Sequence, residues 1–139
     1  KVQPRIVTGD DDRHAAFRIA HAALAKSGTV TLELAIAGVP MITGYMGTAI
    51  EAFVGRRLVK AFSVILPNLI VGEAVIPEYI QERWISDQLA PALRDILGDT
   101  QQRRRQIEAF AKLDEIMSTG SQTPSERAAD IVIAHLRKG

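Results

Sequence analysis

The sequence has no cysteine, few aromatic residues (one Trp, two Tyr and four Phe) and almost no net charge. Without cysteine there is no disulfide framework and no thiolate metal site, a composition suited to a reducing compartment, so the cytoplasm is the default location. Seventeen Lys and Arg against sixteen Asp and Glu leave a net charge of +1. No overall field therefore points to nucleic acid or an anionic membrane surface. Long apolar runs are also missing: the stretch from Phe62 to Val71 is interrupted by Pro67 and Asn68 and falls short of the roughly 20 residues a spanning helix needs. His14, His21 and His135 have no metal-ligand spacing with one another or with a carboxylate cluster, so no metal is expected. No Ser/His/Asp arrangement suggests a nucleophile. Whatever the chain does must reside in a local site.

At 139 residues and 47% hydrophobic composition, the chain can bury one compact core, as a single domain or part of a larger one. It begins at Lys1 without an initiator methionine or a signal-like apolar region, and is read as a piece of a longer protein. Four short apolar runs read as buried strands: "RIVTG" (Arg5 to Gly9), "ALAKSG" (Ala23 to Gly28), "PMITGY" (Pro40 to Tyr45) and "SVILPN" (Ser63 to Asn68). Between them, "DDRHAAFRIAHA", "TVTLELAIAG" and "GTAIEAFVGRRLVKA" have helical spacing. This alternation predicts an α/β fold with a short parallel sheet flanked by helices. From Pro77 onward the pattern is helical throughout: "PEYIQERW", then "SDQLAPALRDILG" with Ser86 as N-cap and Gly98 as stop, then Thr100 to Met117, then "ERAADIVIAHLRK" capped by Ser125.

In such a sheet, ligands sit beyond the carboxyl ends of the strands. The turns expected there are Gly9-Asp10-Asp11, Ser27-Gly28-Thr29, Tyr45-Met46-Gly47 and Pro67-Asn68. A helix start offers unpaired N–H groups and partial positive charge, and Gly28 lets an anion approach the backbone, so Ser27 to Thr29 form a phosphate cradle. Leu32, Ala35 and Ile36 supply the stripe facing the core. Glu33, four residues after Thr29 and roughly 6 Å from it, lies about one sugar ring beyond a bound phosphate. A carboxylate there can accept two ribose hydroxyls. The plainer reading stands beside it: an acidic residue near a helix N-terminus gains roughly 0.3–1 kcal/mol from the dipole with no ligand at all.

"KSGTVTLELAIAGVPMITGY", followed by "RRLVK" and "LPNLIVGEAVIPEYIQE", resembles the C-terminal part of the lipid-A-disaccharide synthase family, glycosyltransferases of the B-type two-domain fold. The resemblance is strongest from Ala25 to Glu82. It implies that residues 1–98 are a partial UDP-sugar donor-binding Rossmann-like domain and residues 99–139 a helical C-terminal tail. It also implies transfer of a diacylated glucosamine from a UDP donor to a lipid monosaccharide phosphate acceptor, giving the β-1,6 disaccharide of lipid A and UDP, with no cofactor.

By position in the motifs, the resemblance puts Ser27, Gly28 and Thr29 on the donor diphosphate and Glu33 on the uridine ribose. Asn68 falls at the reacting end of the donor and is the catalytic candidate, while Tyr45 and Gln81 are further substrate-binding candidates. The proposed base and much of the acyl-binding surface belong to the family's N-terminal domain, so this chain alone is expected to be catalytically incomplete. Two departures remove contacts: many relatives have Arg where this chain has Met46, and "GRE" where it has Gly72-Glu73-Ala74. His21 sits where relatives often carry an acidic residue and is read as a hydrogen-bonded structural histidine. Arg56, Arg57 and Lys60 form a basic helix face, solvated or near anionic lipid, which leaves room for peripheral contact with the inner membrane. Arg103, Arg104 and Arg105 read as exposed helix without the interleaved aromatics that nucleic acid binding would want.

Two other readings remain open from sequence. One is a UDP-sugar 2-epimerase with a similar nucleotide turn. The other is a non-catalytic anion-binding or oligomerisation module in which Ser27 to Thr29 merely start a helix. The last helix carries an apolar stripe of Ala128, Ile131, Val132, His135 and Leu136. It is expected to pair the isolated chain with a second copy as a homodimer, or to remain unpacked.

Overall fold

The computed structural model describes residues 3–47, 62–118 and 122–136. Helix α1 spans Asp10–Ile19, β1 Ala23–Lys26, α2 Val30–Ile36 and β2 Met41–Tyr45. They are followed by α3 Leu66–Val71, β3 Glu78–Ile80, a 3-10 turn at Gln81–Arg83, α4 Ser86–Leu97, α5 Gln101–Met117 and α6 Pro124–Leu136. The three strands form one parallel sheet in the order β1-β2-β3. The fold is α/β, as expected.

Strands β1 and β2 form where the β-branched runs predict them, and Ala25 pairs with Thr43 in the ladder. The other two expected strands do not form. Arg5 to Thr8 carries no strand, and Ile6 is exposed, because a strand needs a hydrogen-bonded neighbour and this segment has none among the described residues. "SVILPN" bends at Val64 and Ile65 and enters α3 at Leu66. Pro67 then occupies the first turn of α3, where its missing N–H costs nothing and its fixed φ favours a helix. The third strand comes instead from "PEYIQERW", read as helix: Thr43, Gly44 and Tyr45 pair with Glu78, Tyr79 and Ile80, and this pairing overrides the local helical pattern. The basic face at Arg56, Arg57 and Lys60 lies outside the described residues.

Helix α2 buries Thr31, Leu34 and Ala35, about one residue off the expected stripe, and leaves Ile36 exposed. It stops at Gly38, whose φ of 71° suits glycine, with the Val39 N–H closing back on the Leu34 carbonyl. Its buried face joins Ala25, Met41, Ile65, Val75 and Ile76 in one core. Helix α5, part of the expected tail, completes that core with Ala109, Phe110 and Leu113. Helix α6 does not join it: its described side chains are exposed, including Ile131, Val132 and Leu136.

The caps differ in detail from expectation. Ile85 precedes α4 where Ser86 was expected as the cap, and α6 starts at Pro124, with Thr123 and Glu126 bonded reciprocally across its first turn. Thr100 caps α5 by accepting the Arg103 N–H at 3.1 Å. Arg103 is no free surface charge: it donates to the carbonyls of His21 and Ile96, both at 2.8 Å. His21 Nε2 bonds the Leu97 carbonyl at 3.0 Å, the structural role read for it. Arg104 and Arg105 pair on the surface with Asp99 and Glu73.

Candidate functional site

The carboxyl ends of β1, β2 and β3 bring Ser27, Gly28, Tyr45 and Gln81 to one edge. Ser27 leaves β1 with its N–H on the Gly44 carbonyl of β2 at 2.9 Å, and its hydroxyl faces the Val64 carbonyl at 3.5 Å. Gly28 is open to solvent, and a Cβ built on it meets nothing within 4 Å. Thr31 fixes this turn from inside, its hydroxyl donating to the Gly28 carbonyl at 2.7 Å. Thr29 is the N-cap of α2 but makes no side-chain cap bond, so its hydroxyl is not consumed by the helix. The first N–H groups of a helix have no intrahelical partner. The Thr31 and Leu32 N–H groups are taken by the Gly28 and Thr29 carbonyls and the Ser27 hydroxyl donates to Val64, so the turn presents the Gly28, Thr29 and Val30 N–H groups, the Thr29 hydroxyl and open space together.

Tyr45 ends β2 half-buried, with the Lys26 ammonium 5.9 Å from its ring centroid. Opposite it, Gln81 leaves β3 at φ 55°, a conformation that costs a non-glycine residue on the order of 1–3 kcal/mol. The strained residue has a partner: its Nε2 donates to the Gly47 carbonyl at 3.2 Å, tying the turns after β2 and β3 together. Beneath them, Trp84 lies directly on Gly44, where a Cβ would fall 1.7 Å from a ring carbon.

Glu33 stands in the first turn of α2, partly exposed, beside α1. Arg13 Nη2 is 3.2 Å from Glu33 Oε2 and His14 Nε2 is 3.7 Å from it, while Arg13 Nη1 also reaches Asp10 at 3.0 Å. Sequence reasoning missed Arg13, because nothing in "DDRH" says which helix face meets α2. Lys26 was legible as the residue before the Ser-Gly-Thr turn and was passed over.

Asn68 is placed differently from the rest. It is fully buried in α3, not in a turn at a strand end. Its Oδ1 accepts the N–H groups of Val75 and Ile76 at 3.1 and 3.0 Å, and its Nδ2 donates to the Ile76 carbonyl and Glu78 Oε1, both at 3.0 Å. The amide expected to face the donor is occupied by the fold. Glu78 is another missed residue: its carboxylate also accepts the Ser63 hydroxyl and the Val64 N–H. Among the described residues no group of three or more His, Asp or Glu side chains is placed to hold a metal. No helix among them is long and apolar enough to cross a membrane.

The family model for lipid-A-disaccharide synthetase matches residues 1–132. The chain belongs to the lipid-A-disaccharide synthase family. It is 63% identical over 137 residues to the lipid-A-disaccharide synthase of Rhodopseudomonas palustris (strain ATCC BAA-98 / CGA009), a match covering 99% of this chain and 35% of that relative. The lipid-A-disaccharide synthase of Bradyrhizobium diazoefficiens is 62% identical, with the same coverage. That of Gluconobacter oxydans is 41% identical over 92% of this chain and 31% of its own length. The chain thus spans about a third of the length of these curated relatives.

Proposed function

We propose that this chain is the donor-binding part of a B-type glycosyltransferase that moves 2,3-diacylglucosamine from UDP to 2,3-diacylglucosamine 1-phosphate, forming the β-1,6 disaccharide of lipid A. The observation that carries this reading is the open Ser27-Gly28-Thr29 turn at the carboxyl edge of a parallel sheet, with Glu33 one helical turn behind it, in a member of this family. The turn's amides and the Thr29 hydroxyl hold the diphosphate, and Lys26 adds positive charge beside them. Glu33 accepts ribose hydroxyls, with Arg13 orienting its carboxylate. Tyr45 and Gln81 border the sugar.

In the transfer, the acceptor hydroxyl oxygen bonds to the anomeric carbon as the bond from that carbon to the diphosphate breaks. The electron pair leaves with UDP, and the hydroxyl proton goes to a base. The cradle stabilises the charge that develops on the leaving diphosphate. The base belongs to the part of the relatives that this chain does not span, and Asn68 acts by holding Glu78 and the Val75–Ile76 backbone in place. The enzyme works in the cytoplasm, at the periphery of the inner membrane, where its lipid substrates are. Pairing of two copies through the exposed α6 stripe accompanies this reading.

Disaccharide and UDP formed from the two lipid-linked sugars by the full-length protein, with none formed by this chain alone, is the expected result. Calorimetry separates the alternatives. Selective binding of UDP supports the transferase, epimerisation of a UDP-sugar would move the protein to the epimerases, and indifference to uridine nucleotides would leave only a binding module.

A further inference from the structure

From Phe62 to Leu66 the exposure alternates: Phe62 58%, Ser63 4%, Val64 49%, Ile65 1% and Leu66 43%. The segment bends on its way into α3, and Ser63 bonds the Ile65 N–H across the bend, so that alternate side chains are turned in and out. Glu78 sets the phase. Its Oε1 takes the Ser63 hydroxyl and the Asn68 amide, and its Oε2 takes the Val64 N–H, so Ser63 is pinned inward and Phe62 and Val64 must point outward. Water-facing apolar residues held in place by a hydrogen-bonded carboxylate are a costly arrangement unless something apolar comes to them.

These two side chains line a hollow of about 410 Å³ together with Ala74, Ile76 and Ile80 and with the polar groups of Ser63, Glu78 and Arg83. Val64 itself lies beside the donor turn, since its carbonyl is the group that Ser27 faces. We propose that Phe62 and Val64 form a contact surface for one fatty acyl chain of the lipid-linked sugar substrate. The inference rests on the function proposed above. The occupant follows from position and charge: a sugar whose diphosphate lies on Ser27 to Thr29 begins beside Val64, and the exposed apolar side chains of Phe62 and Val64, with the Arg83 guanidinium in the same hollow, match an apolar tail below an anionic head.

The test uses the full-length protein with Val64→Ser and, separately, Phe62→Ser. Three probes are titrated: UDP, UDP-glucosamine with two long acyl chains in mixed micelles, and its short-chain counterpart. Each variant should bind the long-chain probe about tenfold more weakly, with UDP and the short-chain probe unchanged. Unchanged long-chain affinity overturns the proposal. So does a parallel loss for all three probes with a lowered melting temperature, which would mean that another part of the protein covers this face. An unaltered protein that ignores UDP and the short-chain probe overturns the functional reading instead. Long-chain binding that survives in that protein and is lost in Val64→Ser would still uphold the surface, and no long-chain binding at all overturns both.

Discussion

The side-chain amide of Gln106 clasps the peptide groups of Met41: the Met41 N–H donates to Gln106 Oε1 at 2.7 Å, and Gln106 Nε2 donates to the Met41 carbonyl at 2.9 Å. Thr43, two residues further along β2, is served on that side by the chain leading into β3, its N–H donating to the Pro77 carbonyl at 3.0 Å. Continuing the parallel ladder back to Met41 would require an N–H from Pro77, which proline lacks. Gln106 fills the gap from α5 and is fully buried in doing so.

Gln106→Leu should therefore strand a buried N–H and a buried carbonyl in the central strand. The expected loss is on the order of 2–5 kcal/mol, read from the urea midpoint at unchanged slope. A variant as stable as the parent would show that Met41 has another source of partners.

Gly44 and Trp84 support the next expectation. With a Cβ at position 44 falling 1.7 Å from the indole, Gly44→Ala must expel the only tryptophan of the chain. Overpacking of this kind costs about 1–3 kcal/mol. The Trp84 backbone N–H is bonded to the Gln81 carbonyl at 2.9 Å, so the displacement should reach the carboxyl edge of the sheet as well. Tryptophan emission should shift to the red, and Trp84→Ala should recover much of the stability lost on Gly44→Ala, a coupling that additive effects would not give.

The start of α6 is pH-sensitive. The Thr123 N–H and hydroxyl both donate to Glu126 Oε2, at 2.7 and 2.9 Å. First the backbone N–H and then the hydroxyl favour the charged carboxylate, holding Glu126 below the ordinary carboxylate range. A pKa lower in the folded helix than in the unfolded chain stabilises α6 at neutral pH. That contribution is lost as the pH falls through the lowered value. Acidification should fray the first turn of α6, and Thr123→Val should move the Glu126 midpoint, followed by NMR, back toward the ordinary range. An unmoved midpoint would remove the capping box from the account.

What could be read from the sequence follows a physical division. The β1 strand and its turn, β2, α4 and α5 were legible because apolar period and glycine stops are local signals. The β3 strand was not, because three residues of "EYI" become a strand only through β2. The candidate site divides in the same way. Ser27, Gly28 and Thr29 lie in a local turn, so their grouping is legible from neighbouring residues alone. The partners of Glu33 and Asn68 come from Arg13 and Glu78, on other elements, and only the packed chain identifies them. Asn68 shows the cost of judging by residue type alone: an amide suits a diphosphate and also suits a loop with unpaired backbone groups, and here the loop has it.

Glu33 is where fold and function can be told apart. Its ion pair with Arg13 is partly exposed, and such pairs contribute roughly 0–1 kcal/mol, so Glu33→Gln should barely change stability. If the carboxylate also takes ribose hydroxyls, the same change in the full-length protein removes charge-assisted bonds and should weaken UDP by about 1–3 kcal/mol, or roughly five- to 150-fold. A dideoxyribose analogue of UDP sharpens the comparison. The parent should discriminate strongly between UDP and this analogue, and Glu33→Gln should bind the two nearly alike, because the group that told them apart is gone. Arg13→Met should fall between, weakening UDP by leaving the carboxylate unoriented while keeping part of the discrimination. Equal UDP affinity in parent and Glu33→Gln, measured by calorimetry on folded protein, would reduce Glu33 to a surface partner of Arg13 and take the ribose out of this site.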